Sequence, residues 1–198
     1  MPVLAAVPVK RFYVAKQRLS PVLDAGARSR LGRDLAAHTL ETVAKAGADV
    51  VALASDEEVA TWARRQGWEA WVDAGGGLDG AALAAVDRAT SRGMPWLIVH
   101  ADLPLLRPED IILALEAIDG GDHPIAPSDD GGTSLIGGIG SFQFSYGAGS
   151  FQRHLGRMAS PRVLVRLGLA LDLDSPSDWR AASAAPRGAW LRRYPPKV

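Results

Sequence analysis

Trp96-Leu97-Ile98-Val99-His100-Ala101-Asp102-Leu103-Pro104 is an apolar run that ends on one carboxylate and then turns at a proline. Such a run reads as a strand, and strands of this kind recur along the chain between helical patterns. In an open α/β sheet, ligands occupy the crevice beyond the carboxyl ends of the strands. Asp102 is therefore placed for a cation or a phosphorylated substrate. Downstream, Leu171-Asp172-Leu173-Asp174 alternates with period two, so an extended backbone puts both aspartates on one face and both leucines on the other.

Working outward, Val3 to Val9 is an apolar run closed around Pro8, and Ala27 to Ala46 has helical spacing through Leu31, Leu35, Leu40 and Val43, stopped by Gly47. Asp49 to Ala54 reads as a second strand. Ser55 is the expected cap of the following helix, with Glu58 three residues later, and that helix runs to Gly67. Trp68 to Val72 reads as a third strand, Gly75 to Gly77 as a loop, Leu78 to Thr90 as a helix and Trp96 to His100 as the fourth strand. Pro108-Glu109-Asp110 suits a first helical turn, with the helix ending near Gly120-Gly121. Further strands are expected at His123 to Ala126, Thr133 to Ile139 and Val163 to Leu173. Ser150 to Met158 reads as a short helix, and Ser175 as the cap of a last one.

Strands alternating with helices predict a three-layer α/β/α fold with a mostly parallel, Rossmann-like sheet. An antiparallel edge is expected in the C-terminal half, where strands shorten and glycines accumulate. Residues 1–183 are expected as a single domain, and residues 184–198, with Pro186, Pro195 and Pro196, as a tail with little regular structure.

Composition narrows the chemistry. The chain has 198 residues, 47% of them hydrophobic, which suffices for a sizeable core. With no cysteine it can build neither a disulfide framework nor a thiolate metal site. A formal net charge of zero gives no global attraction to nucleic acid or anionic membrane, and no apolar span long enough for a membrane helix stands out. A cytoplasmic protein with small-molecule partners is expected. Charge is nonetheless segregated. Residues 1–33 carry Lys10, Arg11, Lys16, Arg18, Arg28, Arg30 and Arg33 against Asp24 alone, whereas residues 99–130 carry eight acids against Arg107.

Magnesium takes oxygen ligands and commonly uses one or two carboxylates plus substrate phosphates. Asp102 with Asp172 or Asp174 fits that demand; alternatively Asp174 simply caps the last helix. Lys10, Lys16 and Arg18 follow the first strand, where nucleotide-binding α/β proteins hold phosphates. No glycine-rich phosphate loop is present there, so side-chain cations must supply the field. Gly75-Gly76-Gly77-Leu78 and Gly147-Ala148-Gly149-Ser150 each precede a helix and are candidate anion sites, with Gly76 and Gly77 on the nucleotide side. Thr133, after Gly131-Gly132, could add a hydroxyl donor. His38, His100, His123 and His154 lack zinc spacing and read as structural or surface residues. No Gly-x-Ser-x-Gly nucleophile elbow is present.

Seven segments occur in an order that resembles one family: Val7-Pro8-Val9-Lys10, Ala15-Lys16-Gln17-Arg18-Leu19, Gly75-Gly76-Gly77-Leu78, Ala101-Asp102-Leu103-Pro104-Leu105-Leu106, Gly131-Gly132-Thr133, Gly147-Ala148-Gly149-Ser150-Phe151 and Leu169-Ala170-Leu171-Asp172-Leu173-Asp174. The chain is similar, over roughly residues 3–180, to the 2-phospho-L-lactate and phosphoenolpyruvate guanylyltransferases of coenzyme F-420 biosynthesis. The resemblance implies a nucleotide-diphospho-sugar transferase-like fold akin to the molybdenum-cofactor guanylyltransferases, and transfer of GMP from GTP to a small phosphorylated acid. It further implies that Thr133, Gly147 and Ser150 hold the acceptor and that Asp102, Asp172 and Asp174 ligate magnesium. Lys16 and Arg18 would face the nucleotide phosphates and, with Asp102, serve catalysis. Departures are Asp79 where the family usually has asparagine, Ser134 where asparagine is common, and Ala148 where proline is common. Competing readings are a sugar-phosphate nucleotidyltransferase or glycosyltransferase of similar fold, and a nucleotide-binding module without turnover.

Overall fold

Leu4–Val9 forms strand β1, and its neighbours define the molecule. The computed structural model describes residues 1–14, 16–72 and 75–195. In chain order the regular elements are β1, α1 (Ala25–Lys45), β2 (Asp49–Ala54), α2 (Glu57–Arg65), β3 (Glu69–Val72), α3 (Gly77–Ser91), β4 (Trp96–Val99), α4 (Pro108–Asp119), β5 (His123–Pro127), β6 (Thr133–Gly138), α5 (Ser150–Leu155), β7 (Pro161–Val163), α6 (Leu167–Ala170) and α7 (Pro176–Ala184). Short 3-10 turns cover Phe12–Val14, Gln17–Leu19 and Pro186–Arg193.

The strands form one seven-stranded sheet in the order β3-β2-β1-β4-β6-β5-β7. The β1–β2, β2–β3, β1–β4 and β5–β7 pairs are parallel, and β6 runs antiparallel to both β4 and β5. The antiparallel component lies in the C-terminal half, as expected, but β6 is inside the sheet and β7 is the strand at the edge. Along β1, Val3, Ala5, Val7 and Val9 pack on one face with residues of α1, α2 and α4, while Leu4 and Ala6 pack on the other with α3. This alternation gives a helix layer on each side of the sheet.

Proline inside a central strand would ordinarily remove a ladder bond. Here β1 pairs with β4 only through Leu4, Ala5 and Ala6, while its pairing with β2 continues to Val9. Even-numbered residues of β1 turn their amides towards β4, as Leu4 N donating to Pro95 O at 3.0 Å shows. Pro8 therefore lacks a donor only where β4 has already parted from β1. That parting is the topological switch point of the sheet, and it opens the crevice that holds the candidate site.

Several local expectations need correction. The α2 cap is Asp56, whose carboxylate accepts from Val59 N at 2.9 Å, and not Ser55. Helix α5 stops at Leu155, where Gly156 caps it, and the chain continues only as a turn, with Arg157 N donating to His154 O at 3.0 Å and Met158 N to Leu155 O at 3.2 Å. Val163 to Leu173 is not one strand. After β7 the chain loses a pairing partner, and Arg166 instead pairs with the buried Asp110 at 2.9 Å, turning the backbone into α6. Residues expected as an irregular tail fold back as the Pro186–Arg193 turn, with Leu191 and Tyr194 buried against Leu105, Leu173 and Trp179. Pro196 lies outside the described residues.

Candidate active site

Asp102 is held in place by its backbone as much as by its strand. Its carbonyl accepts from Leu173 N at 2.9 Å, which ties the loop after β4 to the segment that carries Asp172 and Asp174. Leu173 is fully buried, so its two flanking aspartates turn the other way, towards Asp102. Ser175, not Asp174, caps α7, and the Asp178 carboxylate accepts from the amides of both Asp174 (3.1 Å) and Ser175 (2.6 Å). Trp190 seals the same loop from behind by donating to Pro104 O at 3.1 Å. The folded C-terminal turn thus supports the site from beneath.

The outcome is convergence: one carboxylate oxygen from each of Asp102, Asp172 and Asp174 lies within 4.8 Å of the others. Lys16 joins them, its ammonium 2.9 Å from Asp102 Oδ2 and 2.8 Å from Asp174 Oδ1. The Lys16 side chain is only 9% exposed, against 26% for Asp102 and 46% for Asp174, so the carboxylates keep a solvent-facing side while the lysine packs behind them. Lys16 has φ 56° and is the single non-glycine residue with positive φ among the described residues. A left-handed backbone costs a non-glycine residue on the order of 1 kcal/mol, which the two ion pairs offset.

Electrostatics follow from this crowding. Burial is the strongest single influence and acts to raise the Asp102 carboxyl, but the Lys16 ammonium together with His100 and Lys10 outweighs it and holds the group down at about 2. Burial acts to lower Lys16, and the Asp102 and Asp174 charges more than reverse that. Among the described residues no ion pair is formed by Asp172; burial first, then Asp102, Asp129, Asp130 and Asp174, push it up to about 8. One oxygen, Asp102 Oδ1, is buried without a hydrogen-bond partner. An all-oxygen donor set with excess negative charge and an unsatisfied buried oxygen fits a hard divalent cation.

Beside the carboxylates lies a cavity of about 200 Å³, lined among others by Val9, Lys10, Phe12, Lys16, Leu78, His100, Asp102 and Asp174. Lys10 and Lys16 thus reach one cavity, as the sequence suggests. Arg18 lies elsewhere, in an adjoining groove with Asp129, Asp130, Asp172, Asp174, Ser175 and Asp178. Asp174 borders both spaces. Gly76 and Gly77 have φ 96° and 66°, a conformation open to glycine, and start α3 so that Leu78 reaches the cavity wall.

On the far side of β6, Thr133 and Ser150 meet, their hydroxyl oxygens 3.2 Å apart. Gly147, with φ 104°, stands in the loop just before Ser150. The expected anion site at the start of α5 is corrected: the helix is a single short element, and its first amides are engaged, Ser150 N with Gly147 O and Phe151 N with Gly131 O. The two hydroxyls there are buried, bonded to each other and, at Thr133, to His154. Asp79 accepts from Tyr146 N at 2.8 Å and fastens the acceptor-side loop to α3.

Sequence reasoning missed four contributing residues. His100 lines the cavity, and His154 is wholly buried and bonds Thr133 at 3.0 Å. The i to i+4 spacing of Ser150 and His154 on one helix face was the available signal. Asp129 and Asp130 lie within reach of Asp172 as a second acidic group, which their distance along the chain conceals.

Residues 3–179 match the family described as guanylyl transferase CofC like. The chain is 36% identical over 188 residues to a phosphoenolpyruvate guanylyltransferase of Rubrobacter xylanophilus, covering 90% of this chain and 92% of that protein. It is 28% identical over 200 residues to a 2-phospho-L-lactate guanylyltransferase of Methanothermobacter thermautotrophicus, covering 98% and 90%. A solved structure from Desulfovibrio desulfuricans G20, described as a nucleotide-diphospho-sugar transferase, superposes with a TM-score of 0.78 at 20% identity, covering 98% of this chain and 95% of that one. That likeness bears on the fold, which is nucleotide-diphospho-sugar transferase-like. With the matched span taking in β1, the Asp102 loop, Thr133, Ser150 and the Asp172–Asp174 segment, the chain belongs to the CofC-like guanylyl transferase family.

Proposed function

We propose that this chain transfers GMP from GTP to a phosphorylated carboxylic acid, phosphoenolpyruvate or 2-phospho-L-lactate, with release of pyrophosphate, in coenzyme F-420 biosynthesis. The observation that carries the reading is the convergence of Asp102, Asp172 and Asp174 with Lys16 at the switch-point cavity.

A phosphate monoester, with a second pKa of about 6, is largely a dianion at neutral pH and needs no general base to attack. Its oxygen forms a bond to the α-phosphorus of GTP, the bond from that phosphorus to the bridging oxygen breaks, and pyrophosphate leaves with the electron pair. The difficulty is bringing two anions together and stabilising charge on the leaving group. A magnesium ion bound by Asp102, Asp172 and Asp174 would neutralise that charge. Lys16, anchored between Asp102 and Asp174, presents a fixed cation beside the ion's carboxylates. Lys10 adds charge at the cavity mouth, and Arg18 faces the groove on the other side of Asp174.

In this reading Phe12 and Leu78 offer apolar walls to the nucleotide, with Gly76 and Gly77 bringing α3 close. Thr133, Gly147 and Ser150 hold the acceptor, where hydroxyl donors and a glycine turn suit a small anionic group. Gly147, with φ 104°, allows a sharp turn that a side chain would strain. No described helix is long and apolar enough to cross a membrane, and a GTP-consuming reaction assigns the chain to the cytoplasm.

The test is an acceptor panel: protein, GTP and magnesium with phosphoenolpyruvate, 2-phospho-L-lactate, 3-phosphoglycerate or a sugar 1-phosphate, read by mass of the nucleotidyl product. A GMP adduct of one of the first two acids, with equal pyrophosphate, is expected. Product with the sugar phosphate alone would replace this reading with a sugar-nucleotide transferase.

A further inference from the structure

We infer that His154 is a positioning residue for the acceptor, one that fixes through the Thr133 hydroxyl the direction in which the Ser150 hydroxyl donates. The inference rests on the reading that Thr133 and Ser150 hold the acceptor, and it deepens that reading.

The reasoning starts from a backbone amide. Ser145 N lies 2.8 Å from His154 Nε2, and a peptide N–H can only donate, so Nε2 is an acceptor and carries no proton. In a neutral imidazole the proton is then on Nδ1. That N–H points at Thr133 Oγ1, 3.0 Å away, and occupies one of its lone pairs. Thr133 Oγ1 and Ser150 Oγ lie 3.2 Å apart, a contact in which either hydroxyl can donate; in the proposed relay the Thr133 proton goes to Ser150 Oγ. Ser150 thereby receives a hydrogen bond and keeps its own proton to give. The opposite tautomer would set two N–H groups facing each other at 2.8 Å, with no acceptor between them.

The relay is buried throughout: His154 is 0% exposed, Ser150 1% and Thr133 2%. Water is thus a poor substitute for any member, and a buried chain of hydrogen bonds transmits its polarity. The ring is also held sterically. Tyr146 meets it edge-on at 4.9 Å between centroids, and Phe142 and Phe144 pack at 5.7 and 6.0 Å. His154 stands on the same face of α5 as Ser150, one turn away. The end of the relay is a hydroxyl donor of fixed direction, which suits a carboxylate or phosphate oxygen of the small acid and leaves the nucleotide untouched.

The test splits the two halves of the imidazole. Asparagine at 154 places an N–H near the Nδ1 position and keeps the donor to Thr133, whereas glutamine reaches the Nε2 position and keeps only the acceptor for Ser145. His154→Gln should raise the KM for phosphoenolpyruvate about tenfold with the KM for GTP unchanged, and His154→Asn should recover most of that loss. Equal behaviour of the two variants, or a parallel rise in the KM for GTP, would overturn the inference. Thr133→Val separates the levels: if it leaves the acceptor KM unchanged, the acceptor-site reading itself fails. If it raises the acceptor KM while His154→Gln does not, the role of His154 alone fails. The wild-type protein offers a measurement free of folding defects. Nitrogen-15 shifts of its histidine rings should show His154 protonated at Nδ1 and bare at Nε2 at neutral pH, and the reverse would overturn the assignment.

Discussion

The Lys16 ammonium donates to Asp102 Oδ2 at 2.9 Å, joining the loop after β1 to the loop after β4 across 86 positions of sequence. It lies on the same side of the molecule as the carboxylates proposed to bind magnesium, and Asp174 shares it at 2.8 Å. Removing it leaves Asp102 buried beside Asp172 and Asp174 with only the weaker influence of His100 and Lys10 to oppose their charge. Lys16→Met should therefore destabilise the metal-free protein by about 1–3 kcal/mol. A divalent ion replaces the missing charge, so magnesium should raise the melting temperature of the variant more than that of the wild type. Thermal melts with and without magnesium check this, and equal shifts would count against a shared role for the lysine and the ion.

Asp79 is an acid where the family more often has asparagine, and its role here explains why either residue serves. Its Oδ1 accepts from Tyr146 N, a task an amide oxygen performs equally well. Asp79→Asn is expected to leave kinetics within about twofold, whereas Asp79→Ala should raise the acceptor KM by roughly three- to tenfold, corresponding to one lost hydrogen bond. Steady-state kinetics on both variants decide it.

Gly168 packs where no side chain fits. A Cβ there would run into Asp110 Oδ2 and lie 2.9 Å from Leu105 O and 3.1 Å from Leu106 Cα. Asp110 is buried, accepts from Arg107 N at 3.1 Å to cap α4, and pairs with Arg166. Gly168→Ala should cost more than about 2 kcal/mol, as expected when a buried ion pair and a cap are disturbed together. Chemical denaturation measures this directly.

His154 supplies a pH dependence whose sign is set by its surroundings. Burial, with smaller contributions from Arg157 and Arg153 outweighing Asp79, lowers it from 6.5 to about 4. The unfolded chain then binds a proton more readily than the folded one between those values. Stability from this residue is full above about pH 6.5 and declines as pH falls towards 4, by on the order of 2 kcal/mol. His154→Asn should flatten that slope in denaturation curves recorded across the window.

Much of the fold was legible because the signals were local. Alternating apolar runs and capped helices specify β1 to β4 and α1 to α4, and the Asp102 turn and the period-two Asp172 and Asp174 mark the carboxylate site. What stayed hidden depends on distant partners. Arg166 turns the chain after β7 because Asp110, 56 positions earlier, is buried beneath it. Leu191 and Tyr194 fold the last segment back because Leu105 and Trp179 offer a surface that no local pattern reveals. His154 looks like any buried histidine until Thr133 and the Ser145 amide are set against its two ring nitrogens. Arg18 is close to Lys16 in sequence, yet the 3-10 turn at Gln17–Leu19 aims it into a different groove.

The most direct measurement is manganese binding to the isolated protein, followed by the paramagnetic resonance of the free ion, for the wild type and for Asp102→Asn. Loss of one carboxylate from the oxygen set should weaken binding at least about tenfold while the folded state is retained, Lys16 keeping its Asp174 partner. Undiminished manganese affinity in Asp102→Asn would contradict a divalent-ion site built from Asp102, Asp172 and Asp174.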